Sequence, residues 1–206
     1  MLDLSRENVL TYMLLGLEGQ NEGPSRQIPP TGWQELDGNL TIGNVSGTYG
    51  FASAPSGFSA TTYVNESEGR IIISYNPTQD GADALTDANL LIGKLDQQVK
   101  DAALHYQAIK EQYPDMDISF GGYSLGGGIA SLMGVFFNKP AISHDEAPFR
   151  LAATEKNANI LDNYLQSMGF ASDPDLTSYY ANQSLIPLSD NVLADLADLP
   201  SFPRTV

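Results

Sequence analysis

The sequence predicts an α/β fold, a mostly parallel sheet with helices on both faces. Three observations predict it. From residue 70 onward, short apolar runs alternate with longer stretches of helical periodicity. Ile71-Ile72-Ile73 is a continuous β-branched run, which suits a central strand buried on both faces. Gly122-Tyr123-Ser124-Leu125-Gly126 stands between an apolar run and a Gly-rich helical stretch, so it reads as strand, sharp turn and helix.

The elements follow in order. Leu10, Met13, Leu14 and Leu17 recur at helical spacing and predict an amphipathic helix over 5–17. Residues 18–57 are rich in Gly, Pro, Ser and Asn, and are expected to form irregular covering structure with Trp33 tucked in. Residues 58–64 and 70–75 read as strands joined by a turn over 65–69. Leu95, Val99, Ala102, Tyr106, Ile109 and Tyr113 form one apolar stripe of a long helix that Pro114 closes. A strand ending near Phe120, the Ser124 turn, its helix and a short strand over 141–144 come next. Ile160, Leu161, Tyr164, Leu165 and Met168 mark another helix, stopped by Gly169 at its C′ position. Residues 176–181 read as a strand, and Ser189 as the cap of a short helix carrying Val192, Leu193 and Leu196. No repeat, linker or second domain interrupts the pattern. The expectation is one domain over 1–206, with an N-terminal helix and covering segment to residue 57 and the core over 58–190. Residues 200–206 read as a boundary from which a longer chain could continue.

Composition narrows the function. A chain of 206 residues can bury a sizeable core, and 42% apolar with 17% charged residues fits a soluble globular protein. The net charge of −15 argues against nucleic acid, because phosphate contacts need Lys and Arg, and against adsorption to anionic membranes. With no cysteine there is no disulfide, thiolate zinc site or cysteine nucleophile. Residues 1–8 lack a secretory signal pattern, and no apolar run is long enough for a transmembrane segment. Both a cytoplasmic protein and one exported without a general secretory signal fit.

Ser124 is the candidate nucleophile. Small residues around it let helix and strand approach closely, and the helix N-terminus favours developing negative charge. The alternative is an ordinary Gly-rich turn whose serine caps the helix. A serine hydroxyl needs a base, and the base an orienting acid. The two histidines are His105 and His144. His105 lies beside the stripe of the long helix and reads as a half-exposed surface residue. His144 follows Ser124 by twenty residues, at the end of the next strand. Asp145, Glu146 or Asp190 could orient it. Asp80, Asp83 and Asp87 lack the alternating spacing of a calcium loop and read as loop and helix cap. Tyr106, Tyr113, Tyr179 and Tyr180 read as core and edge packing.

The chain resembles the α/β-hydrolases of the class 3 (fungal-type) lipase group over roughly 58–190. The carriers are Gly122-Tyr123-Ser124-Leu125-Gly126-Gly127, which resembles Gly-His-Ser-Leu-Gly-Gly, and the strand ending in Asn76-Pro77-Thr78, which resembles one ending in Arg-Gly-Thr. The stretch around Asp83 to Asn89 resembles Asp-Trp-x-x-Asp. His144-Asp145-Glu146-Ala147-Pro148-Phe149 resembles the Phe-Asp-x-Ala-Pro-Phe stretch of bacterial lipase-like domains, some of which belong to secreted proteins. The resemblance implies an α/β-hydrolase fold and carboxylic-ester substrates. It also implies an oxyanion hole from the backbone N–H groups of Leu125 and Thr78. Two departures stand out. Pro77 replaces the glycine and lacks an N–H. The acid position of the family's Asn-x-Asp-x-Val-Pro stretch falls at Ser184, and no histidine follows His144.

Three readings of the incomplete triad stay open. The base comes from outside this chain, or His144 is recruited with Asp145 as its orienter, or the domain is a non-catalytic relative. The leading expectation is a serine hydrolase acting on a small-molecule or lipid ester. Its catalytic residues are Ser124, His144 and Asp145, its oxyanion donors Leu125 and Thr78, and it uses no cofactor or metal. The alternative is a hydrolase-like module of a larger secreted protein. Acyl transfer from the same elbow is a third option.

Overall fold

Buried on both sides, Ile71, Ile72 and Ile73 form the axis of a central sheet. The computed structural model describes Thr11, Leu14, Leu15 and residues 29–76, 94–144 and 146–176. Within them run β1 (Gln34–Glu35), β2 (Asn39–Ile42), β3 (Val45–Thr48), β4 (Phe51–Ser53), β5 (Ser59–Asn65) and β6 (Arg70–Tyr75). They are followed by α1 (Gln97–Gln112), β7 (Asp117–Tyr123), α2 (Leu125–Phe137), β8 (Ala141–His144) and α3 (Glu155–Ser167).

The sheet order is β2-β3-β4-β5-β6-β7-β8, with β1 beside β5. The parallel part expected from the alternation runs from β6 through β7 to β8. The strands before β6 pair antiparallel. Here the expectation of irregular structure needs correction, because residues 34–53 form β1 to β4. Their glycines hid them. Gly43 and Gly47 supply positive φ at a hairpin turn and within β3, which turn-rich composition alone does not distinguish from loop.

Alternation splits the core. Ile71, Ile73 and Tyr75 face one side, with Val99, Ala102, Tyr106 and Ile109 of α1, all of α2's large apolar residues, and Leu161 and Leu165 of α3. Ile72 faces the other side with Tyr63, Ile142, Trp33 and Leu15, a helical residue. Helices therefore cover both faces, and the fold is α/β-hydrolase-like. Each fully buried Ile, Leu or Phe contributes about 1.5–3 kcal/mol.

Two expected helices, α1 and α3, are present with caps that periodicity alone did not reveal. Asp96 accepts from the Val99 N–H at 3.1 Å and starts α1. Thr154 accepts from the Asn157 N–H at 3.2 Å and starts α3. Asp96→Ala is expected to cost about 1 kcal/mol, read as a lower urea midpoint with unchanged slope. Gly169 ends α3 with φ of 101°, as its C′ placement predicts. Ile160 is exposed, whereas Asp162 is buried, because its carboxylate accepts from Gln166, Ser172 and the Asp173 N–H. Tyr106 packs against Phe120 and Phe137, and Tyr113 edges onto Tyr49, as a packing role requires. Leu176 is helical, not the start of a strand. The rest of that strand, the helix after Ser189, the Asp80 to Asn89 stretch, and Tyr179 and Tyr180 lie outside the described residues.

His105 is the clearest reversal among single residues. It is fully buried on α1, against the Phe58 ring at 5.7 Å, not half-exposed. Neither ring nitrogen has a hydrogen-bond partner among the described residues. Burial lowers its pKa from 6.5 to about 4, so the ring is neutral at pH 7.

Candidate active site

The site is built at the C-terminal edge of β6, β7 and β8, where each strand hands over to the next element. Ser124 joins β7 to α2 with φ of 53° and ψ of −123°. A non-glycine residue at positive φ outside the helical wells is strained by about 1–3 kcal/mol, which the surroundings must offset. Ser124 makes no side-chain capping bond to α2. The ordinary capping-serine alternative therefore does not describe this turn. Its hydroxyl is not spent on helix capping, and the residue is half-buried.

The glycines on both sides have a steric cause. A Cβ on Gly122 would lie 2.4 Å from the Gly126 carbonyl carbon. One on Gly126 would lie 2.0 Å from the Tyr75 carbonyl oxygen at the end of β6. Gly128 is flush against the Ala147 carbonyl, where a Cβ would come within 2.7 Å. The first turn of α2 is thus wedged between the exit of β6 and the segment after β8. Only backbone fits there.

Two backbone bonds fix the turn. The Ser124 N–H donates to the His144 carbonyl at 3.0 Å, and the Ala147 N–H donates to the Ser124 carbonyl at 3.0 Å. The Leu125 N–H is in the first turn of α2, where helical N–H groups have no intrahelical acceptor and the helix dipole is positive.

His144 pairs with Tyr123 in parallel register, so the structure brings it directly beside the elbow. Its side chain shares the face of Ile142, opposite the α2 face that takes Ser143. Its Nε2 is buried. Asp145 and Thr78, with Pro77 and Asp190, lie outside the described residues. Glu146, an alternative orienting acid, is engaged elsewhere. Its Oε2 accepts from Ser131 Oγ of α2 at 2.5 Å and from Ser143 Oγ of β8. Sequence reading did not identify this Ser131–Ser143–Glu146 cluster. The available signal was the run of glycines at 126–128, which marks a segment pressed against α2 without saying which one.

Among the described residues, no helix is long and apolar enough to cross a membrane. Comparison with solved structures finds partial likenesses. Lip2 lipase from Yarrowia lipolytica is 16% identical with a TM-score of 0.41, covering 79% of this chain and 64% of that one. The nonglycosylated form of that lipase is 20% identical with a TM-score of 0.38, over 65% and 55% of the two chains. A fungal lipase solved with an inhibitor is 13% identical with a TM-score of 0.39, over 80% and 68%. The chain thus spans somewhat under two thirds of the length of Lip2. No curated protein sequence matches significantly. The model of the Phospholipase-like family, described as a Tle-like phospholipase domain, matches residues 22–174, which include β1 to β8, the Ser124 elbow and the segment after β8. The chain belongs to this phospholipase-like family.

Proposed function

We propose that this chain is a serine ester hydrolase acting on the acyl esters of lipids. The observation that carries the reading is the strained, non-capping Ser124 between two glycines that tolerate no side chain. Strain of this kind is retained where it presents a group for chemistry. Family membership supports the lipid character of the substrate.

In this reading Ser124 Oγ attacks the acyl carbon while its proton passes to a base. The tetrahedral oxyanion is stabilised by the Leu125 N–H at the start of α2 and by the Thr78 N–H. The base returns the proton to the leaving alcohol, and water then hydrolyses the acyl-enzyme. His144, one strand away, is the base, with Asp145 as its orienter. No cofactor takes part.

One observation favours a second reading. Alternation along β8 sets His144 on the sheet face of Ile142, opposite the face that α2 covers. The elbow could then be completed by a base from outside this chain, or remain a non-catalytic module of a larger secreted protein.

Fluorophosphonate labelling separates these readings. The native chain is expected to label, Ser124→Ala to lose all labelling, and His144→Ala to slow it by about a thousandfold or more. Labelling of His144→Ala at the native rate would place the base elsewhere. Absence of labelling in a folded native chain would leave the second reading standing.

A further inference from the structure

We infer that Glu146 is a positioning residue for the Ser124 elbow, an inference that rests on the nucleophile reading above. The elbow is held from outside its own strand and helix by two backbone bonds, and both belong to one short segment. The His144 carbonyl accepts from the Ser124 N–H, and the Ala147 N–H donates to the Ser124 carbonyl. Glu146 lies between these two contacts in the chain. Its carboxylate ties that segment back to α2 and to β8 through side chains.

The chemistry of the cluster requires one oxygen that accepts twice. Ser131 Oγ and Ser143 Oγ are 3.1 Å apart, and each hydroxyl has one proton. Both protons go to Glu146 Oε2, so the oxygen serves as a double acceptor. Bonds to an ionised acceptor are stronger than neutral ones. Ser143 is the penultimate residue of β8 and Ser131 is on the second turn of α2, so Glu146 ties α2 to the strand beside the elbow. The backbone is pressed close as well. A Cβ on Gly127 would lie 3.3 Å from both Glu146 Cβ and the His144 carbonyl oxygen. Segment, strand end and helix start thus form one clamp, and the positive φ of Ser124 persists inside it.

The test is amide hydrogen exchange on the full chain, with fluorophosphonate labelling rates alongside. In Glu146→Ala the Ser124 and Ala147 amides are expected to exchange at least about tenfold faster, while Ile72, Ile73 and Phe120 keep their protection. Labelling should slow in the same variant. Glu146→Gln keeps a carbonyl oxygen that can accept both hydroxyl protons, so it should recover most of the protection and the rate. Ser143→Ala removes one of the two bonds and should speed the same two amides by a few-fold, which keeps the test open if Glu146→Ala does not fold. Unchanged exchange of Ser124 and Ala147 in a folded variant would overturn the inference. So would a uniform rise across all amides, which marks a general loss of stability. If the native chain does not label, the hydrolase reading fails, and the exchange pattern still decides whether Glu146 holds the turn.

Discussion

Gly126→Ala is expected to destabilise the protein by about 3–5 kcal/mol and to abolish labelling of Ser124. The added Cβ would be 2.0 Å from the Tyr75 carbonyl oxygen, 2.7 Å from its carbon and 3.2 Å from the Asn76 carbonyl carbon. All three are backbone atoms, so no side chain can swing away. Relief requires moving the end of β6 or the first turn of α2. The first breaks the parallel pairing of Tyr75 with Gly122. The second turns the Leu125 N–H relative to the Ser124 side chain. Gly69→Ala is the control. Gly69 has φ of 65° with nothing within 4 Å of an added Cβ, so only the left-handed backbone opposes it, at about 1–2 kcal/mol. Urea unfolding of the two variants, compared at equal slope, measures the difference. Equal midpoints would show that the elbow has room that the geometry denies it.

His105→Leu should stabilise the protein by about 1–2 kcal/mol at pH 7, because it replaces two buried nitrogens without partners by a side chain of similar size. The larger effect is on pH dependence. The folded-state pKa is depressed from 6.5 to about 4, so between these values the unfolded chain binds the extra proton. Stability is therefore fully present above about pH 6.5 and falls as pH drops toward 4, by about 3 kcal/mol in all. Asp101, one turn earlier, works in the opposite sense. Desolvation raises its pKa despite hydrogen bonds from Ser56 and Gln97, so it favours the folded state as acid protonates it. That contribution is common to both proteins and largely cancels in the comparison. Thermal midpoints of native and His105→Leu chains from pH 8 to 4 should diverge below 6.5, with the native curve falling faster. Parallel curves would mean that the imidazole finds a proton partner inside the fold.

Much of the fold was legible before any coordinate. The Ile71 to Ile73 run, the α1 stripe and the 141–144 strand stand where patterning placed them, because burial on one or two faces leaves a period in the sequence. Strands β1 to β4 were not legible. They are two to four residues long, and residues 42–50, within this segment, hold Gly43, Gly47 and Gly50, so local composition reads as loop until the β5 edge pairs with it. His105 was misplaced for a related reason. Periodicity located it beside the apolar stripe, but the width of the buried face depends on how tightly the sheet and helices enclose α1.

At the site, sequence alone determined the nucleophile candidate and the need for glycine around it, since a strand–turn–helix this tight is possible only with small residues at fixed spacing. It also placed His144 at the end of the strand that lies beside the Ser124 strand. Tertiary structure decided the rest. Register put the His144 carbonyl on the Ser124 N–H, while side-chain alternation sent the imidazole to the face opposite α2. Packing of α2 against the segment after β8 committed Glu146 to two serine hydroxyls, a partnership set by elements that meet only in the folded chain. Local backbone conformation can be written in a few adjacent residues. The partners of a polar side chain depend on which elements become neighbours in space, and that follows from the packing of the whole sheet.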